Sequence, residues 1–171
     1  MAGLRVAQGP RLSLHRFDPA DAEGFLAMNA DPEVMRFTGD PPFASLAQCQ
    51  AFLRDYDHYR RHDFGRWTLY LSDGRYAGFC GLRHCEGEVD LGFRLPRALW
   101  GQGLAGEAAR LSLQLAFAHY RLDKVVGRAR CENQASLRLL ARLGFSQIGE
   151  FEDQHGRWQC WELSQKDWLK D

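Results

Sequence analysis

The sequence predicts a mixed α/β fold in which helices flank a central, mostly antiparallel sheet that contains one parallel crossover. Three observations carry this. Apolar and polar residues alternate in blocks from Phe64 to Leu95, and Asp73-Gly74 and Glu86-Gly87 separate the blocks as tight turns do between antiparallel strands. The stretch Trp100-Gly101-Gln102-Gly103-Leu104-Ala105-Gly106-Glu107-Ala108 then opens a long apolar-periodic helix. A strand-like segment at Lys124–Arg130 follows that helix, completing the strand, loop, helix, strand order of a parallel crossover.

The elements can be justified in chain order. Residues 11–16 read as a short strand, and Asp18 supplies an N-cap with Pro19 at the first helical position. That helix runs to about Met28 and ends at Asn29-Ala30-Asp31-Pro32, with a further short turn at Glu33–Phe37. Gly39-Asp40-Pro41-Pro42 breaks the chain, and Ser45 starts a second amphipathic helix carrying Leu46, Cys49, Phe52, Leu53 and Tyr56 on one side. Trp67, Leu69 and Leu71 alternate toward the Asp73-Gly74 hairpin, Tyr76–Leu82 returns, and Glu88–Leu95 forms the third strand. The helix after the glycines presents Leu104, Ala108, Leu111 and Leu115 on one face and reaches about Tyr120. Asn133 opens a last helix containing Leu137, Leu140 and Ala141, which Gly144 closes in the left-handed position. Residues 145–151 and 157–164 pair around His155-Gly156.

Composition bounds the function. The chain has 171 residues, 45% of them apolar, which suits one compact domain with a full core. Its 22 basic and 22 acidic side chains cancel, which argues against gripping nucleic acid by bulk charge. Five cysteines, an odd number without close pairs, read as reduced thiols rather than a disulfide framework. Cys80, His84 and Cys85 match no standard zinc spacing, so no metal is expected. No secretory signal and no apolar run of about 20 residues is visible, and the expectation is a soluble, cytoplasmic protein without a membrane partner.

The glycine loop bares backbone N–H groups at a helix N-terminus, where the helix dipole favours an anion such as a pyrophosphate. Glycines also serve tight turns and close packing, so the loop alone is weak evidence. The lysine of a Walker loop is missing. Gly101-x-Gly103-x-x-Gly106 spells a dinucleotide fingerprint, but antiparallel strands precede it, and the next strand carries Arg128 and Arg130 in place of a ribose-binding acid.

Asp90-Leu91-Gly92-Phe93-Arg94-Leu95 followed by this loop resembles the acetyl-CoA motif of the GCN5-related N-acetyltransferases (GNAT), most closely the branch that acetylates ribosomal-protein N-termini (RimJ/RimL type). Asn133-x-x-Ser136 with Leu143-Gly144-Phe145 resembles the second motif of that branch, and Asn29-Ala30-Asp31-Pro32-Glu33-Val34-Met35, Trp161-Glu162-Leu163 and Asp167-Trp168 extend the resemblance over nearly the whole chain. It implies a single acetyltransferase domain over residues 1–171 with acetyl-CoA as cosubstrate, and it admits a homodimer. It implies that the backbone of Gly101, Gln102, Gly103, Leu104, Ala105 and Gly106 holds the CoA diphosphate, with Ala105 the largest residue expected to fit there. Phe93 and Leu95 lie on a strand that would pair with the pantetheine arm where two strands splay apart, and a backbone N–H near Phe93 would polarise the thioester carbonyl.

The resemblance makes Asn133 a pantetheine contact; its residue type alone makes it an N-cap. Ser136 takes the place of the acid that protonates the departing thiolate, against the plainer reading of a solvent-facing helix serine. Glu88 and Asp90 share one strand face and are candidates to accept the amine proton through water, or are solvated carboxylates. Arg97, Arg138 and Arg142 are candidate phosphate partners. Arg36, Phe37 and Trp67 are candidates for lining the acceptor site, although a core or surface-packing role is the safer reading for Phe37 and Trp67.

The acceptor amine must be neutral to attack. At pH 7 about one α-amine in ten is uncharged, against about one lysine in a few thousand. A protein N-terminus therefore needs the least help. A polyamine or aminoglycoside acceptor, a CoA-binding module without catalysis, and a nucleotide-dependent oxidoreductase are the other readings.

Overall fold

A computed structural model describes residues 2–168. Eight strands among them form one sheet in the order β1-β2-β3-β4-β5-β6-β8-β7. They are β1 (Arg5–Gln8), β2 (Leu12–His15), β3 (Arg66–Leu71), β4 (Tyr76–Cys85), β5 (Glu88–Arg94), β6 (Lys124–Arg130), β7 (Ser146–Asp153) and β8 (Gly156–Ser164). The helices are α1 (Ala22–Ala30), α2 (Pro32–Met35), α3 (Leu46–Asp55), α4 (His58–His62), α5 (Leu104–Gln114), α6 (Gln134–Arg142) and α7 (Gln165–Trp168). Every neighbouring pair is antiparallel except β5 and β6, the ends of the crossover. The α/β class with a mostly antiparallel sheet is therefore the observed architecture.

Local chemistry sets the boundaries. Asp18 accepts from the Ala20 N–H, and Asp21 returns a bond to the Asp18 N–H, so the first helix begins as a 3₁₀ turn at Pro19–Asp21. Ser45 caps α3 by accepting from the Gln48 N–H. Gly74 and Gly144 take φ of 90° and 98°, the left-handed turns at which a side chain would strain the backbone. The helix read to Tyr120 is α-helical only to Gln114, and Leu115–His119 widens into a π-turn. Sequence reading missed β1, α4 and α7, and β5 ends at Arg94, one residue before Leu95.

Two apolar clusters hold the sheet. On one face Trp67, Leu69, Cys80, Leu82 and Leu91 pack against Leu104, Ala108, Leu113 and Phe117 of the long helix, joined by Leu139 and Leu140 of α6. Full burial of each such leucine contributes about 2 kcal/mol. On the other face Ala22, Phe25, Cys49 and Leu53 of α1 and α3 sit with Phe17 and Phe79, and Phe25 stacks on Phe79 at 5.8 Å between ring centroids. The second cluster covers only the β3–β4 side of its face. The β5, β6 and β8 portion of that face lies outside this apolar cluster, touched from α1 through the Arg94–Asn29 hydrogen bond, and it carries Glu88, Asp90, Arg128, Trp158 and Cys160.

Candidate active site

The parallel junction at the centre of the sheet decides where a ligand can enter. β5 and β6 are each seven residues long, yet they register at one pair only, Asp90 opposite Val126. Toward Phe93 no pair joins them, while β5 stays fully laddered to β4, with Phe93 opposite Cys80 and Arg94 opposite Phe79. Backbone polar groups along that stretch therefore face a gap rather than a neighbouring strand. Phe93 is half-buried and its side chain joins the core on the α5 face, as does Leu95.

The glycine loop stands at the end of this gap. Gly101 and Gly103 have φ of 76° and 77°, which β-carbon-bearing residues rarely adopt. A Cβ on Gly101 would meet nothing within 4 Å, and one on Gly103 only Arg11 at 3.4 Å, so the backbone turn rather than internal crowding requires glycine there. Gly103 is also the N-cap of α5 and gives it no side-chain cap, unlike Ser45 on α3 and Asn133 on α6. The first N–H groups of α5 are thus left for another acceptor, and the helix dipole favours an anion there. Leu104 and Gly106 are buried, Ala105 is half-buried, and Gln102 is exposed. This donor set, with no side chain over it, fits a diphosphate.

The loop is held from outside the motif. Glu107 accepts from the backbone N–H groups of Arg11 and Leu12 at 2.9 and 3.2 Å and from Arg11 Nε at 2.8 Å. Arg11 Nη1 in turn donates to the Gln102 carbonyl at 2.7 Å. Trp100 donates from Nε1 to the Leu95 carbonyl at 2.9 Å, fastening the loop to the end of β5. Arg97, read as a phosphate partner, is paired with Asp31 at 3.1 Å. Arg138 and Arg142 lie exposed on α6.

Asn133 caps α6: its Oδ1 accepts from the Ser136 N–H at 3.3 Å. Its side-chain nitrogen makes no hydrogen bond among the described residues. Ser136 is half-buried in the first turn, and α6 lies against the start of α5, where a Cβ on Gly106 would sit 3.5 Å from Leu139. The start of α5 is therefore a neighbour of the middle of α6.

Asp90 has a more structured setting than its sequence suggested. It is buried at 4% exposure, and three guanidinia converge on it: Arg66 at 2.6 Å, Arg83 at 2.9 Å and Arg128 at 3.1 Å. Burial alone would raise its pKa, but Arg66 and Arg83 outweigh that and hold the carboxyl below the ordinary range. Glu88 pairs with Arg128 at 2.9 Å. Arg66 is itself bracketed, since its N–H donates to the Tyr56 hydroxyl at 2.9 Å and its carbonyl accepts from the Tyr59 hydroxyl. Gly92 makes room for this, because a Cβ there would stand 2.5 Å from the Arg66 guanidinium. Sequence reading missed Arg66 and Arg83; the cue was two arginines on alternating strands that lead toward an acidic third.

Other candidates fall elsewhere. Trp67 is fully buried on the α5 face, so it belongs to the core and lines no acceptor groove. Arg36 lies over the Phe37 ring at 4.9 Å. Cys80 is in the core beside Ser112 Oγ at 3.3 Å, and burial pushes its thiol up to about 11. No cluster of three or more metal-ligating side chains occurs among the described residues. No helix among them is long and apolar enough to cross a membrane.

Residues 11–146 match the family model described as the acetyltransferase (GNAT) domain. The chain belongs to the GNAT acetyltransferase family. The GNAT chain is 26% identical over 148 residues to the uncharacterized N-acetyltransferase p20 of Bacillus licheniformis, covering 84% of this chain and 83% of that one. Its fold superposes on a GNAT-family acetyltransferase from Bacillus anthracis with a TM-score of 0.84 at 17% identity, over 95% and 99% of the two chains. It also superposes on a spermidine N-acetyltransferase from Vibrio cholerae, solved with CoA and spermine, with a TM-score of 0.77 at 16% identity over 92% and 98%. The single parallel contact and the uncapped helix are thus features of a GNAT acetyltransferase.

Proposed function

We propose that this chain works as a single domain that moves an acetyl group from acetyl-CoA to the α-amine of a protein or peptide N-terminus, as the RimJ/RimL-type branch does. The observation that carries the reading is the junction at Asp90 and Val126, where the sheet opens beside the uncapped start of α5. The thioester supplies an activated acyl group. The transfer forms an amide C–N bond, breaks the C–S bond and returns one proton to the thiolate sulfur.

In this reading the N–H groups from Gly101 to Gly106 hold the diphosphate, and the open edge of β5 through Phe93 and Leu95 takes the amide-rich arm. The N–H near Phe93 aligns the carbonyl and stabilises its developing charge. Asn133 sets the start of α6 and offers its side-chain nitrogen to the arm, and Ser136 delivers the proton to sulfur.

Of the two carboxylates, Asp90 is reassigned. Three guanidinia saturate it and its depressed pKa makes it a poor base, so it positions β5 and the arginines around it. Glu88 stands five residues before Phe93, about 17 Å along an extended strand, and is paired with Arg128. That is too far to take the amine proton, so the proton leaves to solvent. An α-amine with a pKa near 8 is neutral often enough to need no closer base.

The test is a panel of α-amine peptides, lysine peptides, polyamines and aminoglycosides, followed by CoA thiol release and product mass. Acetylation at the peptide α-amine supports the reading. Acetylation of polyamines or aminoglycosides alone replaces it with the small-molecule reading, and CoA binding without release for any acceptor replaces it with a non-catalytic module.

A further inference from the structure

The arginines around Asp90 bear on which acceptor the site takes, and this step rests on the acetyl-transfer reading. Register places Arg83 opposite Asp90, and Arg66 and Gly92 both opposite Gly81, so these side chains share the face away from α5. Arg128 reaches the same group from β6, touching Asp90 at 3.1 Å and Glu88 at 2.9 Å. Three guanidinia are thus met by two carboxylates. Neighbouring arginines add no surplus, because Arg94 is paired with Asp40 and Arg130 with Glu132, each at 2.8 Å.

The three arginines are not equivalent. Arg66 is 15% exposed and spends Nη1 on the carbonyls of Gly81 and Asp90 and Nη2 on the Asp90 carboxylate. Arg128 is 24% exposed and bridges both acids. Arg83 is 52% exposed and its guanidinium makes one hydrogen bond among the described residues, to Asp90, which leaves most of its planar donor fork open. The uncompensated charge therefore sits on the accessible member, in the form best suited to a carboxylate.

We propose that Arg83 is a specificity-determining residue that binds a carboxylate of the acceptor, so that the preferred substrate is a peptide N-terminus with Asp or Glu at its second or third position. Arg83 stands level with Asp90, three residues or about 10 Å from Phe93 along the strand. A peptide whose α-amine meets the thioester near Phe93 carries its second and third residues about 3.5 and 7 Å further on. Their side-chain carboxylates then come within the reach of the long arginine. A polycation such as a polyamine meets the same surplus charge as repulsion.

The experiment compares matched peptides bearing Asp, Ala or Lys at the second and third positions, by kcat and KM of CoA release. Wild type is expected to favour the acidic peptide about tenfold or more, mainly through KM. Arg83→Met is expected to bring the acidic-to-neutral ratio close to one. Arg83→Glu leaves three carboxylates against two guanidinia and is expected to swing preference to the lysine peptide, a gain that misfolding does not produce.

Equal use of all three peptides by wild type, or a preference that survives Arg83→Met, overturns the carboxylate site and leaves acetyl transfer standing. Absence of turnover for every peptide overturns acetyl transfer instead. Calorimetry then decides the site on its own, using acetylated acidic peptide added to CoA-saturated protein. Binding about tenfold weaker in Arg83→Met supports it, and equal or undetectable binding in wild type and variant overturns it.

Discussion

Glu107 and Arg11 stand 96 residues apart in sequence, yet one carboxylate takes both the backbone N–H and the Nε of that arginine. The same guanidinium donates to the Gln102 carbonyl, so the β1–β2 turn, the start of α5 and the glycine loop are fastened together. Glu107→Ala strips two backbone N–H groups of their acceptor and is expected to cost about 1–3 kcal/mol in denaturant unfolding. It is also expected to raise the CoA dissociation constant in calorimetry. An unaltered CoA affinity means that the loop keeps its shape without the clasp.

Asp90→Asn leaves three arginines around a neutral amide and is expected to destabilise by about 3 kcal/mol or more. The effect depends on pH with a definite sign. Because the folded carboxyl is held below its ordinary range, its contribution is complete above the unfolded value near 3.9 and is lost as pH falls through the lower folded value. Unfolding curves of wild type and variant should therefore converge in acid and stand apart at neutral pH. A gap that stays constant down to pH 2 contradicts this.

Gly103→Ala separates conformational cost from ligand contact. The left-handed φ of 77° makes alanine cost about 1 kcal/mol, and the new methyl meets only Arg11 at 3.4 Å. Thermal unfolding is expected to change little. CoA binding is expected to weaken about tenfold or more, because the methyl occupies the approach of the diphosphate to the backbone.

Asn133 and Ser136 are distinguished by paired substitutions. Asn133→Ala loses the cap and is expected to cost about 1 kcal/mol, whereas Asn133→Ser keeps a capping oxygen and holds stability. A raised KM for acetyl-CoA in Asn133→Ser, at unchanged thermal midpoint, assigns the side-chain nitrogen to the arm. Ser136→Ala is expected to lower kcat about a hundredfold with little change in KM. Full turnover in that variant removes the serine from the chemistry.

Features written in local chemistry could be read from the chain alone. Asp73-Gly74 marks the β3–β4 hairpin, β6 has the bounds that its alternation predicts, and Asn133 caps α6 as its residue type implies. What was missed depends on contacts across the fold. The segment His58–His62 carries three basic and aromatic residue types and no apolar period, and it is held by His58, which bridges the Phe64 carbonyl and the His84 N–H. Arg66 and Arg83 look like ordinary solvated strand residues until the register sets them around Asp90. Trp67 is legible as a core residue as well as an acceptor-site candidate, because strand alternation does not say which face is core, and its full burial selects the core reading.

The lone pairing of Asp90 with Val126 has a mechanical side as well. With no second rung between β5 and β6, the described strands form two rafts, β1–β5 and β6–β8, joined at one backbone point, by the ion pairs of Arg128 to Asp90 and Glu88, and by the helices above the seam. Slow hydrogen exchange should protect the interior of each raft, while amides along the seam exchange through small openings that leave both rafts intact. A ligand lying in that seam supplies the missing rungs. Its arrival should then be visible as slower exchange at the seam amides, with the shared core on either side unchanged.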